Sequence, residues 1–129
     1  MKVVNVGIIG TGGISRSHAR GYRAIPGKAV IAAVADIEAS RAEKAAREWG
    51  ASAWFEDYRK LLRQGDVDAV DICTPHNLHA GMAVDAAEAG KHILIEKPMA
   101  LTMKDCDVII RAAGKAGVKL MVGHEQVFC

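Results

Sequence analysis

The residues best placed to do chemistry come early. Val6-Gly7-Ile8-Ile9-Gly10-Thr11-Gly12-Gly13-Ile14-Ser15 joins an apolar run to a glycine turn, and the turn to a helix start. Asp36 closes a second apolar run, Val30-Ile31-Ala32-Ala33-Val34-Ala35. The chemistry is capture of a diphosphate and its sugar. Gly10 can take backbone angles closed to other residues, and Gly12 lets the main chain approach phosphate oxygens. The helix that follows offers unpaired N–H groups and a partial positive charge. A carboxylate about 20 residues past the glycines can accept hydrogen bonds from a ribose. Ser15 stands where the pattern expects a third glycine, and a serine still permits close helix–strand packing. The plainer alternative is an ordinary strand–turn–helix with Asp36 as a helix cap. The position of the loop, between a strand-like and a helix-like run, favours the dinucleotide site. Asp36 favours the ribose diol of NAD over the 2′-phosphate of NADP, while Arg41, a turn later, keeps NADP as the alternative.

Other groups carry weaker signals. His76 and His79 are three apart, but two ligands without carboxylate or cysteine partners are too few for a metal, and none is expected. His18, in the first helical run, reads as structural. His124 ends the last strand, where a polar strand-end residue and one that borders the active-site cleft are equally open readings. The 3 cysteines, Cys73, Cys106 and Cys129, show no metal or redox spacing. That sparse, odd set fits a reducing cytosol, with Cys73 and Cys106 packing as small hydrophobes.

The elements that must position these residues alternate along the chain. Strands are expected over 3–9, 30–35, 52–54, 69–74, 92–95 and 119–122. Helices are expected over 15–25, through Trp49 with Gly50 as its cap, from Asp57 through Leu62, from His76 or Asn77 to Gly90, and from Thr102 to Gly117. The inner stripes are Ala39, Ala42, Ala46 and Trp49; Ala80, Ala83, Val84 and Ala87; and Cys106, Ile109, Ile110, Ala113 and Ala116. Six strands alternating with helices imply an α/β fold, a doubly wound parallel Rossmann sheet in the order 3-2-1-4-5-6 with helices on both faces. Ligand then lies at the carboxyl ends of strands one and four. With 129 residues, half of them hydrophobic, the chain suits one domain, 1–129. A net charge of +2 without a basic block argues against nucleic acid. No apolar stretch approaches the roughly 18 residues that would span a bilayer, and no signal peptide is read, so a cytoplasmic protein is expected.

Two further segments, Thr74-Pro75-His76-Asn77-Leu78-His79 and Ala89-Gly90-Lys91-His92-Ile93-Leu94-Ile95-Glu96-Lys97-Pro98, sharpen this reading. With the glycine loop they make the chain resemble the Gfo/Idh/MocA oxidoreductases, the glucose–fructose oxidoreductase and inositol dehydrogenase group, over nearly its whole length. The resemblance implies that Gly10, Thr11, Gly12, Gly13 and Ile14 surround a pyrophosphate and that Asp36 and Ile37 flank the adenosine. It places Thr74, Pro75, Asn77 and His79 near the nicotinamide, with Glu96 and Lys97 beside it and Lys97 in the catalytic position. It implies hydride transfer between NAD, or NADP, and a hydroxyl-bearing carbon of a sugar or cyclitol. A partly desolvated lysine has the chemistry for this, because a lowered pKa lets it take the hydroxyl proton. Glu96 could orient it and Pro98 fix the turn; otherwise Lys97 is a solvated lysine after a strand.

Family members continue into a mainly antiparallel domain that builds the substrate site, and this chain is expected to hold only the dinucleotide domain. The ending His124-Glu125-Gln126-Val127-Phe128-Cys129 departs from the family pattern, where an arginine is usual at Val127. Three functions stay open: the cofactor half of an oxidoreductase, little active alone; a stand-alone dinucleotide-binding regulatory module; and a non-catalytic remnant that dimerises through the face a second domain would cover. A homo-oligomer is expected.

Overall fold

The computed structural model describes residues 2–96 and 99–123. Mostly apolar runs form the strands β1 (Val4–Ile9), β2 (Ala29–Ala35), β3 (Ala53–Phe55), β4 (Ala69–Ile72), β5 (His92–Ile95) and β6 (Leu120–Val122). All pair in parallel in one sheet ordered β3-β2-β1-β4-β5-β6. The helices between them are α1 (Gly13–Arg23), α2 (Ala39–Trp49), α3 (Tyr58–Gln64), α4 (His79–Glu88) and α5 (Met103–Ala116). The doubly wound order read from the sequence is the one observed.

Helix ends follow local chemistry. The Asp57 carboxylate accepts from the Arg59 N–H at the start of α3, and the Thr102 hydroxyl accepts from Asp105 N–H at the start of α5. Gly50 and Gly117 take the left-handed conformation that closes α2 and α5. Some boundaries differ from expectation. Helix α1 begins directly after Gly12 and stops at Arg23, short of Ile25, because the chain tightens there: Ala24 and Ile25 N–H donate three residues back, to the Gly21 and Tyr22 carbonyls. Strand β4 stops at Ile72, and a 3-10 turn, His76–Leu78, occupies the expected first turn of α4.

The core lies on both faces of the sheet. On one, Val6, Ile8, Ile31 and Val34 pack against Ala19 of α1 and Ala42, Ala45 and Ala46 of α2. On the other, Ile9, Val70, Ile72, Ile93 and Ile95 meet Leu61 and Leu62 of α3, Ala83, Ala86 and Ala87 of α4, and Ile109 of α5. Alanines on the inner stripes let helices lie close to the sheet. The α5 stripe is narrower than expected, since Ile110 and Ala116 are exposed.

Register matters most for the site. Ile9 pairs with Ala35 on one side and Ile72 on the other; Ala35 pairs with Phe55, and Ile72 with Ile95. The residues that follow therefore stand in a row along the carboxyl edge: Glu56, Asp36, Gly10, Cys73, Glu96. Asp36 and Glu96 are three strand spacings apart, about 14 Å at about 4.8 Å each.

Candidate functional site

Above this row lies a cleft of about 960 Å³, lined among others by Gly10, Gly12, Asp36, Ile37, Arg41, Thr74, Pro75 and Asn77. Gly10 makes the turn out of β1. Its φ is +94°, and a Cβ there would lie 3.0 Å from the Cys73 carbonyl carbon and oxygen. Only glycine suits both the angle and the space. Gly12 precedes α1 in extended conformation, and no side chain caps that helix. The buried Ser15 hydroxyl donates back to the Gly12 carbonyl, which ties the turn to the first helical residues. The serine at the third small position thus packs closely and adds a hydrogen bond.

Asp36 is buried and held at the end of β2. Its Oδ2 accepts from the Thr11 N–H at 3.0 Å and the Thr11 hydroxyl at 2.7 Å; its Oδ1 accepts from Glu38 N–H at 2.9 Å. The Arg41 guanidinium lies 3.2 Å from Oδ2 and 3.6 Å from Glu38 Oε2. Burial by itself would raise the Asp36 pKa, but the hydrogen bonds from Glu38 and Thr11 and the charge of Arg41 outweigh it and hold the carboxyl below its ordinary value. A negative charge is therefore fixed beside the glycine turn, and among the described residues Oδ1 accepts from Glu38 N–H alone. Ile37, next along the rim, is 88% exposed, an apolar surface turned outward.

The remaining sequence candidates distribute as follows. Thr11 and Gly13 line a smaller recess of about 310 Å³ on the α2 side of Gly12, and Ile14 is exposed on the first turn of α1. His79 does not line the main cleft. Its buried ring lies between two carbonyls, Nε2 at 2.9 Å from Thr74 O and Nδ1 at 3.1 Å from Met99 O, so it joins the loops after β4 and β5. Glu96 is half-buried with Oε1 2.8 Å from His18 Nε2. Lys97, Pro98 and His124 lie outside the described residues.

Sequence reasoning missed one cluster and one wall. The cluster centres on Asp71, fully buried in the middle of β4 on the face that meets α1. Asp71 Oδ2 lies 2.6 Å from His18 Nδ1 and accepts from the Tyr22 hydroxyl at 2.7 Å, and the Cys73 thiol donates to Oδ1 at 3.4 Å. Burial, reinforced by the Asp71 charge, pushes the Tyr22 hydroxyl and the Cys73 thiol upward. The only local signal was one aspartate inside an apolar strand. The wall is the start of α3: Tyr58 donates to Asp85 of α4, and the Arg59 guanidinium sits 4.8 Å over the Tyr58 ring. The cap at Asp57 was legible, but its place at the cleft mouth depends on sheet order.

The profile described as "Oxidoreductase family, NAD-binding Rossmann fold" matches residues 4–124. The chain is 40% identical to the uncharacterized oxidoreductase YrbE of Bacillus subtilis, over 98% of this chain and 37% of that protein. It is 36% identical to levoglucosan dehydrogenase of Pseudarthrobacter phenanthrenivorans, over 95% of this chain and 33% of that enzyme. Among solved structures, the WlbA dehydrogenase of Bordetella pertussis in complex with NADH and UDP-GlcNAcA superposes with a TM-score of 0.90 at 31% identity, covering 94% of this chain and 37% of that one. The chain thus spans about a third of the length of these relatives.

Proposed function

The chain belongs to the Gfo/Idh/MocA oxidoreductases, and from that premise we propose that its cleft holds NAD for hydride exchange with a hydroxyl-bearing carbon of a sugar or cyclitol-like substrate. The observation that carries the proposal is the pairing of an uncapped helix start at Gly12 with the carboxylate of Asp36, fixed on Thr11 of the same turn. This donor set fits the group. The free N–H groups at the start of α1 suit a pyrophosphate, and Asp36 suits an adenosine ribose. The opposite end of the row, past Thr74 and toward Glu96, is left for the nicotinamide. When bound, the nicotinamide gives or takes the hydride. The protein supplies position and charge. Thr74, Pro75 and Asn77 border the cleft there, and we assign Lys97, by its place in the motif, the proton of the substrate hydroxyl.

Asp36 and Glu38 both face the Arg41 guanidinium, so two carboxylates offset the charge that Arg41 would offer a 2′-phosphate. This supports NAD over NADP. The stretch by itself is expected to bind the dinucleotide with little turnover, in the cytoplasm. We also infer that it self-associates, because Leu101, Met103, Ile110 and Met121 leave apolar surface exposed around α5 and the edge strand β6. Titration of protein into NADH, followed by nicotinamide fluorescence, tests the central claim: saturation in the micromolar range is expected. Binding of neither NADH nor NADPH below millimolar would overturn it.

A further inference from the structure

We propose that His18 is a positioning residue: held by Asp71 through Nδ1, its imidazole grips Glu96 through Nε2 and so sets the carboxylate that precedes Lys97. The inference rests on the cleft taking NAD, with the nicotinamide at the Glu96 end.

The geometry is a chain of three groups from three elements. Asp71 comes from β4, His18 from α1, and Glu96 from the exit of β5. The two contacts measure 2.6 and 2.8 Å. Asp71 is fully buried and the His18 side chain is 13% exposed, whereas Glu96 is 24% exposed. The chain therefore runs from the interior to the carboxyl edge of the sheet, where Glu96 stands next to Cys73 of the cleft lining. Two carboxylates flank one ring, so both ring nitrogens donate and the ring carries a proton. The hydrogen bond to Asp71, helped by Glu96 and opposed by burial, raises His18 to about 9. Among the described residues, Cys73 Sγ lies 3.7 Å from His18 Nδ1 and the Tyr22 hydroxyl shares Asp71 Oδ2 with the ring, and both groups are displaced upward. Within this cluster, His18 is the group that changes charge between neutral pH and about 9. Losing its proton removes one donor. A neutral ring cannot serve both carboxylates, and Asp71, the more buried, keeps it.

The test combines NMR with NADH titration of the full chain. With ¹³Cε1-labelled histidine, His18 should titrate above pH 8, and Asp71→Asn should lower that midpoint by about one unit or more. NADH affinity should weaken as pH rises through the His18 midpoint. His18→Gln should bind about fivefold to tenfold more weakly at neutral pH and lose that pH dependence. Glu96→Gln, on a partly exposed side chain, should lose the same pH dependence without threatening the fold. The double variant should bind no more weakly than the single ones. A plain strut would lower thermal stability yet leave the pH profile of binding in place. Wild-type affinity and an unchanged profile in His18→Gln or Glu96→Gln would overturn the positioning role, as would additive losses. If wild type binds no NADH at all, the dinucleotide reading falls and this inference with it.

Discussion

At Asp36 a single carboxylate does two jobs: it fastens the glycine turn through Thr11 and presents charge to the cleft. Asp36→Ala should weaken NADH binding about tenfold to a hundredfold, the worth of about 1.5–3 kcal/mol for a charged hydrogen bond, and should narrow the gap to NADPH. Parallel fluorescence titrations with the two cofactors would measure it. His18 makes a stability prediction of the opposite pH sense to a carboxylate. Its folded pKa, about 9, lies above the ordinary 6.5. The stabilisation is therefore complete below about 6.5 and lost as pH rises through about 9. Unfolding free energies from urea melts should fall across that window by an amount on the order of 1–3 kcal/mol, and His18→Gln should flatten the fall. Asp36 was legible in the sequence because its distance from the glycines and its place at a strand end are local facts. Asp71 was not. Its partner His18 is 53 residues away, and only the packing of α1 on β4 brings them together. His79 was legible as part of a motif, but its contacts with the Thr74 and Met99 carbonyls depend on a loop after another strand.

Elements set what those residues can do. The turn from β1 into α1 works because Gly10 accepts a positive φ under the Cys73 carbonyl. Gly10→Ala should destabilise the fold by about 1–3 kcal/mol and weaken NADH binding together, since the same turn serves both. Denaturant melts and titrations on one preparation would show the two losses. Thr102→Ala, which removes the α5 cap and alters no residue that lines the cleft, should cost about 1 kcal/mol and leave NADH affinity unchanged. Caps at Asp57, Thr102, Gly50 and Gly117 were readable because each acts within a turn of its own helix. The start of α4 was not: both proposed starts fall in the 3-10 turn, and α4 begins at His79, whose ring reaches carbonyls outside the helix. The width of the α5 stripe was likewise set by what the sheet offers it, and Ile110 stays 46% exposed.

Across the whole molecule, the strand order was legible because alternation and right-handed crossovers leave few arrangements. The register that aligns Asp36, Gly10, Cys73 and Glu96 was not, because it is fixed by pairing between distant segments. Light scattering at high concentration should return a dimer or larger species. A clean monomer would show that the exposed α5 and β6 surface does not drive self-association. The six strands all run one way, so the opposite rim of the sheet is held by unrelated bonds: Val4 N–H to the Lys28 carbonyl, Asn5 N–H to Asp68, His92 N–H to the Asp68 carbonyl. That rim carries none of the cleft residues. Dyes, tethers or an added peptide loop near Lys28, Asp66 or Lys119 should therefore leave cofactor affinity intact, which makes this side the natural handle for immobilising the protein on a sensor.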